Sequence, residues 1–152
     1  MSTEHAAASA ATAALPLKHH HGAMSVPDLN AAIAWYARVL GFALERRFPI
    51  PAIPAEVAML RRGPMRIELF EVPGAAPLPP ERLLPDSDNR THGNKHVAFA
   101  VPDVDAAAAH LHAQQADVVW VKRFPWGANI FLRDPAGNLI ELVEEPELWQ
   151  AD

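Results

Sequence analysis

The chemistry available to this sequence is concentrated in four side chains, His21, Glu68, His96 and Glu141. Each histidine opens a short apolar segment that closes on Val-Pro-Asp. Each glutamate sits between apolar neighbours, in Ile67-Glu68-Leu69 and Ile140-Glu141-Leu142. The histidines are 75 positions apart (96 − 21) and the glutamates 73 (141 − 68), so both types recur at nearly one interval. Neutral imidazole and carboxylate together suit a borderline divalent ion such as Ni, Co, Zn, Mn or Fe(II). With at most four protein ligands, such an ion keeps positions for substrate and can act as a Lewis acid. A lone strand histidine is ordinarily structural, and a lone glutamate between apolar residues ordinarily points to solvent by alternation. Recurrence of both at matched positions points instead to one divalent metal site shared by two halves of the chain.

The elements that must position these residues are themselves duplicated. His21-Gly22-Ala23-Met24-Ser25-Val26-Pro27-Asp28 matches His96-Val97-Ala98-Phe99-Ala100-Val101-Pro102-Asp103, and Arg66–Glu71 matches Leu139–Glu144. Internal repetition of this length signals two copies of one supersecondary unit. In each copy an apolar strand (Gly22–Val26 or Val97–Val101) stops at a proline, which cannot continue a ladder. Asp28 or Asp103 then caps a helix. Leu29, Ala32, Ile33, Tyr36 and Leu40 give the first helix its buried stripe, and Gly41 ends it. Val104, Ala107, Ala108 and Leu111 give a weaker stripe in the second. Three strands follow in each copy: Ala43–Phe48, Glu56–Arg61 and Met65–Glu71, then Val118–Lys122, Ala128–Arg133 and Leu139–Glu144. Asp134-Pro135-Ala136-Gly137-Asn138 is a strong turn signal before the last of these. The expected class is α+β, built from two βαβββ modules.

With 152 residues, half of them apolar and a fifth charged, the chain is expected to be one globular domain over 17–147. Module one spans 17–72 and module two 96–147, joined by a polar, proline-rich loop over 73–95. Such long connections tend to be functional or mobile. Residues 1–16 read as a disordered or loosely helical tail, and 148–152 as a C-terminal tail. The formal charge of −5 argues against a phosphate-tracking surface, and hence against nucleic acid. Absence of cysteine removes disulfides, thiol nucleophiles and Cys-ligated metal centres. No apolar run reaches the ~18–20 residues of a membrane span. Glu4 and an Ala-based N-terminus do not resemble a secretory signal, so a cytoplasmic protein is expected. The run His19-His20-His21 is placed at the start of the first strand.

Paired βαβββ modules with these openings and Ile-Glu-Leu closings resemble the vicinal oxygen chelate superfamily, over roughly His19 to Glu145. The Asp134–Asn138 turn is among the most specific marks of that likeness. The resemblance puts the metal ligands on His21, Glu68, His96 and Glu141, the same residues that the duplication selects, and implies an eight-stranded cupped mixed sheet around the metal site and a homodimer. The superfamily includes glyoxalase I, methylmalonyl-CoA epimerase, extradiol dioxygenases and metal-free bleomycin-resistance proteins. Glyoxalase I holds glutathione with an Arg and an Asn, each four residues after a metal ligand; Ser25 and Val72 stand there in this chain. An epimerase-type second base on a middle strand would fall nearest Glu56, one residue out of register with Met59.

The expected function is that of a metal-dependent, glyoxalase-like lyase, isomerase or epimerase. Its substrate is small and carries adjacent oxygens, and Glu68 and Glu141 are the candidate bases for proton transfer through an enediolate. The alternatives are an Fe(II)-dependent ring-cleaving dioxygenase and a small-molecule binding or resistance protein. For the dioxygenase the only tyrosine, Tyr36, falls on a helix and reads as core. Secondary substrate-binding candidates are Trp126 in a loop near the cup mouth, Lys122 and Arg133 as partners for a carboxylate, and His92 just before a ligand strand. His110 and His112 read as surface.

Overall fold

The computed structural model describes residues 14–150. The tail expected over 1–16 lies outside the described residues except for 14–16, as do 151–152. In chain order the elements are β1 (Gly22–Ser25), α1 (Leu29–Leu40), β2 (Ala43–Ile50), β3 (Ala55–Arg62), β4 (Met65–Glu71), α2 (Pro85–Asp88), β5 (Val97–Val101), α3 (Val104–Ala113), β6 (Asp117–Phe124), β7 (Gly127–Arg133) and β8 (Leu139–Glu144). The eight strands divide into two four-stranded mixed sheets with matching orders, β1-β4-β3-β2 and β5-β8-β7-β6. Only β1–β4 and β5–β8 are parallel, because a helix crossover separates each opening strand from the meander that follows. The histidine run sits just ahead of β1, which begins at Gly22 rather than within the run.

Local chemistry sets the boundaries in both copies. The Asp28 carboxylate accepts from Ala31 N–H at 2.9 Å, and Asp103 accepts from Ala106 N–H at 2.9 Å. A second carboxylate completes each cap from the end of the closing strand. Glu71 accepts from Leu29 N–H at 2.6 Å and Glu144 from Val104 N–H at 2.8 Å. Two of the four orphan donors at each helix start are thereby satisfied. Gly41 closes α1 at φ +70°, a left-handed conformation that a side chain would strain. Both copies also carry a β-bulge at the same place, between Leu44 and Arg46 and between Val118 and Trp120.

The helix-facing sides of both sheets merge into one core. Leu29, Ala32, Tyr36 and Val39 of α1 pack with Leu60, Ile67 and Leu69, and the same cluster includes Leu111, Ile130, Leu132 and Ile140 of the second module. Polar links also cross between modules. Tyr36 Oη donates to Asp134 Oδ2 at 3.0 Å, and Asn138 Nδ2 donates to the Ser25 carbonyl at 3.1 Å. Tyr36 has no exposed surface. Burial, together with the charge and hydrogen bond of Asp134, pushes its hydroxyl well above the usual phenol range. Burial likewise raises the Asp134 carboxyl, against the opposing hydrogen bonds of Asn138, Tyr36 and Ala136.

The connection over 73–95 is ordered around one carboxylate. It contains a single 3-10 turn (Pro80–Arg82) and the short α2. Asp88 is 1% exposed; its Oδ1 accepts from Arg82 Nε at 2.9 Å and Lys95 Nζ at 3.3 Å. Arg82 and Lys95 also donate to the carbonyls of Asn94 and Asp88. Among the described residues no helix is long and apolar enough to cross a membrane.

Candidate functional site

Alternation decides which residues can reach the site. In β4, Ile67 and Leu69 are buried on the helix side, so Glu68 projects from the opposite, helix-free face. Ile140 and Leu142 do the same for Glu141 in β8. The parallel registers place Ala23 beside Glu68 and Ala98 beside Glu141. His21 and His96, two residues before those alanines, adjoin the same face.

Each half brings one imidazole to one carboxylate. His21 Nε2 lies 3.2 Å from Glu68 Oε2, and His96 Nε2 lies 3.0 Å from Glu141 Oε2. The side chains are 31% and 15% exposed in the first pair and 29% and 17% in the second. The pairs thus match in composition, separation and access to solvent. Two donors bound to one ion at about 2.0–2.2 Å each end up roughly 3 Å apart at a right angle. Each pair therefore has the bite of half a metal site, and the donor set suits a divalent ion. Among the described residues no three His, Cys, Asp or Glu side chains form a single group able to hold a metal. The four residues stand as two pairs, not as a closed quartet.

The pairs flank the seam between the modules. A Cβ added to Gly22 would lie 4.0 Å from Val97 Cγ2, so the residues that follow His21 and His96 meet across it. A cavity of about 660 Å³ runs along this seam, lined by His19, Ser25, Arg82, Asn94, Lys95 and His96. A second cavity of about 700 Å³, lined largely by apolar residues including Phe42, Phe99 and Leu142, contains none of the four.

The surroundings of the two pairs differ. Asn129 Nδ2 donates to Glu141 Oε1 at 2.7 Å, and its own Oδ1 accepts from Trp120 Nε1 at 3.3 Å. Phe131 stands edge-on to His96, with ring centroids 4.9 Å apart, and to Trp120 at 5.2 Å. Sequence reading passed over Asn129 and Trp120. The available signal was a polar residue inside the apolar Ala128–Leu132 run, two positions from Phe131 and so on the same strand face.

The secondary candidates separate clearly. Lys122 Nζ lies 3.5 Å from the centre of the Trp120 ring, on the wall that holds Glu141. Arg133 is engaged elsewhere: it forms a two-pronged pair with Asp117, at 2.8 and 3.1 Å, and also donates to the Leu83 carbonyl. Its guanidinium is thus already paired within the chain. Trp126 is 81% exposed and stacks on Phe124, with ring centroids 4.8 Å apart. His92 is exposed and makes no hydrogen bond or ion pair with any of the four. Met59 stands opposite Glu68, whereas Glu56 is drawn to Arg47, which also binds Asn30 of α1. The middle strand thus offers Glu68 a thioether and no second carboxylate.

Comparison with known proteins bears on the fold and the family. The chain is 34% identical to the 2-epi-5-epi-valiolone epimerase of Actinomyces sp, covering 88% of each. It is 29% identical to the mitochondrial methylmalonyl-CoA epimerase of Homo sapiens, covering 82% of this chain and 72% of that protein. The crystal structure of the glyoxalase family protein from Enterococcus faecalis superposes with a TM-score of 0.71 at 24% identity, covering 84% of this chain and 97% of that one. The model of the Glyoxalase/Bleomycin resistance protein/Dioxygenase superfamily matches residues 18–142. Two βαβββ modules, a histidine–glutamate pair on each and this match across most of the sequence place the chain in that superfamily.

Proposed function

We propose that the protein is a metal-dependent isomerase or epimerase that moves a proton at a carbon next to a carbonyl in a small substrate with adjacent oxygens. The observation that carries this reading is the pair of matched His–Glu contacts, 3.2 and 3.0 Å, on the helix-free faces of the two sheets. His21, Glu68, His96 and Glu141 would hold one divalent ion, which when bound supplies Lewis acidity toward the substrate oxygens. Glu68 or Glu141 takes the proton from the carbon, and the electron pair of the broken C–H bond moves toward the neighbouring carbonyl oxygen. Return of a proton to the opposite face gives an epimer, and return to the adjacent carbon gives an isomer. Lys122, over the Trp120 ring, meets a carboxylate on the substrate. Epimerases among the relatives support this class of chemistry. The ring-cleaving alternative finds little support, because Tyr36 is wholly buried and bonded to Asp134 and so cannot handle protons beside the pairs. Following the superfamily, we propose a homodimer.

The test begins with protein purified without a polyhistidine tag. Its metal content is measured, and substrates bearing adjacent oxygens are incubated in heavy water without oxygen. Deuterium uptake at the substrate carbon is expected, falling about a hundredfold or more in Glu68→Gln or Glu141→Gln. Full turnover in both variants removes these carboxylates as bases. A strict need for Fe(II) and oxygen selects the dioxygenase, and tight uptake without product selects a binding protein.

A further inference from the structure

We propose that the largely apolar cavity of about 700 Å³ binds a small amphipathic monocarboxylate, its apolar body between the modules and its carboxylate on Arg38 and Arg62. Both modules build this cavity: Phe42 and Met65 come from the first, Phe99 and Ala107 from the second. Leu142 also lines it, and alternation along β8 sends Leu142 and Glu141 to opposite faces. The cavity is thus a second site, on the helix side of the sheet, and its occupancy does not depend on the metal reading. Its volume falls within the roughly 300–1,000 Å³ of small-molecule sites, which are likewise mainly apolar with a few polar groups at fixed points. The Phe42 and Phe99 ring centroids stand 5.5 Å apart, and Trp149, also on the wall, is left 52% exposed.

The polar groups on the wall select the sign of the ligand. Arg38, Arg62 and His110 are each anchored by one bond to a main-chain carbonyl. Arg38 Nη1 donates to Gln114, Arg62 Nη1 to Leu40 at 2.8 Å and His110 Nε2 to Val39 at 2.9 Å. Among the described residues neither arginine has a carboxylate partner. Arg66 and Arg133 show how this chain pairs a guanidinium when an acid is present. Each turns its Nε–Nη2 edge to a carboxylate, Glu45 or Asp117, through two bonds of 2.8–3.1 Å. Only Nη1 is engaged on Arg38 and Arg62, so the same edge is open on both, and its planar fork matches a carboxylate. Asp103, the single acid on the wall among the described residues, is turned to the start of α3, where it accepts from Ala106 N–H at 2.9 Å. The wall is therefore cationic beside an apolar interior. A ligand acid would supply the charge-assisted partner that both guanidiniums lack.

Decanoate is the probe, titrated calorimetrically below its micellar concentration into the untagged full chain, with decanol as its uncharged match. One equivalent of decanoate is expected to bind, about tenfold more tightly than decanol, the difference that a charge-assisted pair supplies. Arg38→Gln and Arg62→Gln should each erode that preference, whereas Ala107→Leu, which fills the cavity, should weaken both probes. Decanoate should also shift the Trp149 fluorescence to shorter wavelength, and Trp149→Phe should abolish the shift. Should an arginine variant fail to fold, the contrast between the probes and the Trp149 shift decide the matter. Lys122→Ala, which alters the opposite side of the sheet, should leave decanoate affinity unchanged. A loss there, with Arg62→Gln unaffected, would put the carboxylate beside the His–Glu pairs and overturn the inference. No binding, equal affinity for the two probes or an unmoved Trp149 overturns it as well. So does a decanoate affinity that falls as protein concentration rises, which would give the cavity to a second copy of the chain.

Discussion

Asp88 is the residue at which burial and charge compete most openly. Burial pushes its carboxyl up, yet the hydrogen bonds and charges of Arg82 and Lys95 outweigh that and hold it below its ordinary value of 3.8. A carboxyl lowered on folding stabilises the fold above its unfolded pKa, and the contribution disappears as pH falls through the folded value. The connection over 73–95 should therefore loosen below about pH 3.8, read by hydrogen exchange of its amides against those of β7. Asp88→Asn should already show rapid exchange at neutral pH and little further change in acid. Unchanged protection in that variant would mean that the carboxylate does not organise the loop. Nothing in the sequence marks Asp88, because its partners are six and seven residues away in a stretch without periodicity. His21, Glu68, His96 and Glu141 were legible for the contrary reason, each having a twin at a fixed interval. Asn129 escaped notice because its twin position holds Val57, so repetition, the strongest signal available, is silent there.

At the scale of elements, strand and helix positions followed closely from proline stops, Asp caps and alternation. Met65–Glu71, Val97–Val101 and Leu139–Glu144 form as expected to the residue. β2 and β6 run longer than expected, reaching Ile50 and Phe124, because pairing with β3 and β7 carries them past Pro49 and Arg123. The closing-strand carboxylates Glu71 and Glu144 had read as ordinary strand ends, since their role depends on a helix start some 40 residues away. The turn before β8 shows how tightly loop and module are fitted. Gly137 adopts φ +89°, and a Cβ there would lie 2.6 Å from Leu83 Cδ2 of the connecting loop. Gly137→Ala should cost about 1–3 kcal/mol in urea unfolding, combining left-handed strain with displacement of Leu83. Gly74→Ala, at φ +79° with nothing within 4 Å, is the control and should show the backbone part alone. Equal losses at the two sites would mean that the Leu83 contact contributes nothing.

The whole molecule is two similar halves joined by side chains. Among the described residues β1 and β5 form no ladder with one another, and the union rests on the shared core and on side-chain hydrogen bonds, Tyr36 with Asp134, Asn138 with the Ser25 carbonyl, Arg38 with the Gln114 carbonyl and His110 with the Val39 carbonyl. An ion that grips both His–Glu pairs binds only the joined form, so ligation and stability are linked. At a hundred times its dissociation constant it should add about 2.7 kcal/mol. For a chain of this length that corresponds to a rise in Tm of roughly 5–10 °C. The shift should vanish in a His21→Ala, His96→Ala double variant, and a flat melting point in the wild-type protein would argue against a shared site. The missing ladder has a wider consequence. A continuous backbone ladder would fix the spacing of the halves by hydrogen bonds, whereas here it is fixed by side-chain packing, with Gly22 facing Val97 at the seam. The breadth of the cleft between the two pairs is therefore written in core volumes, and enlarging or trimming one buried side chain would reset it.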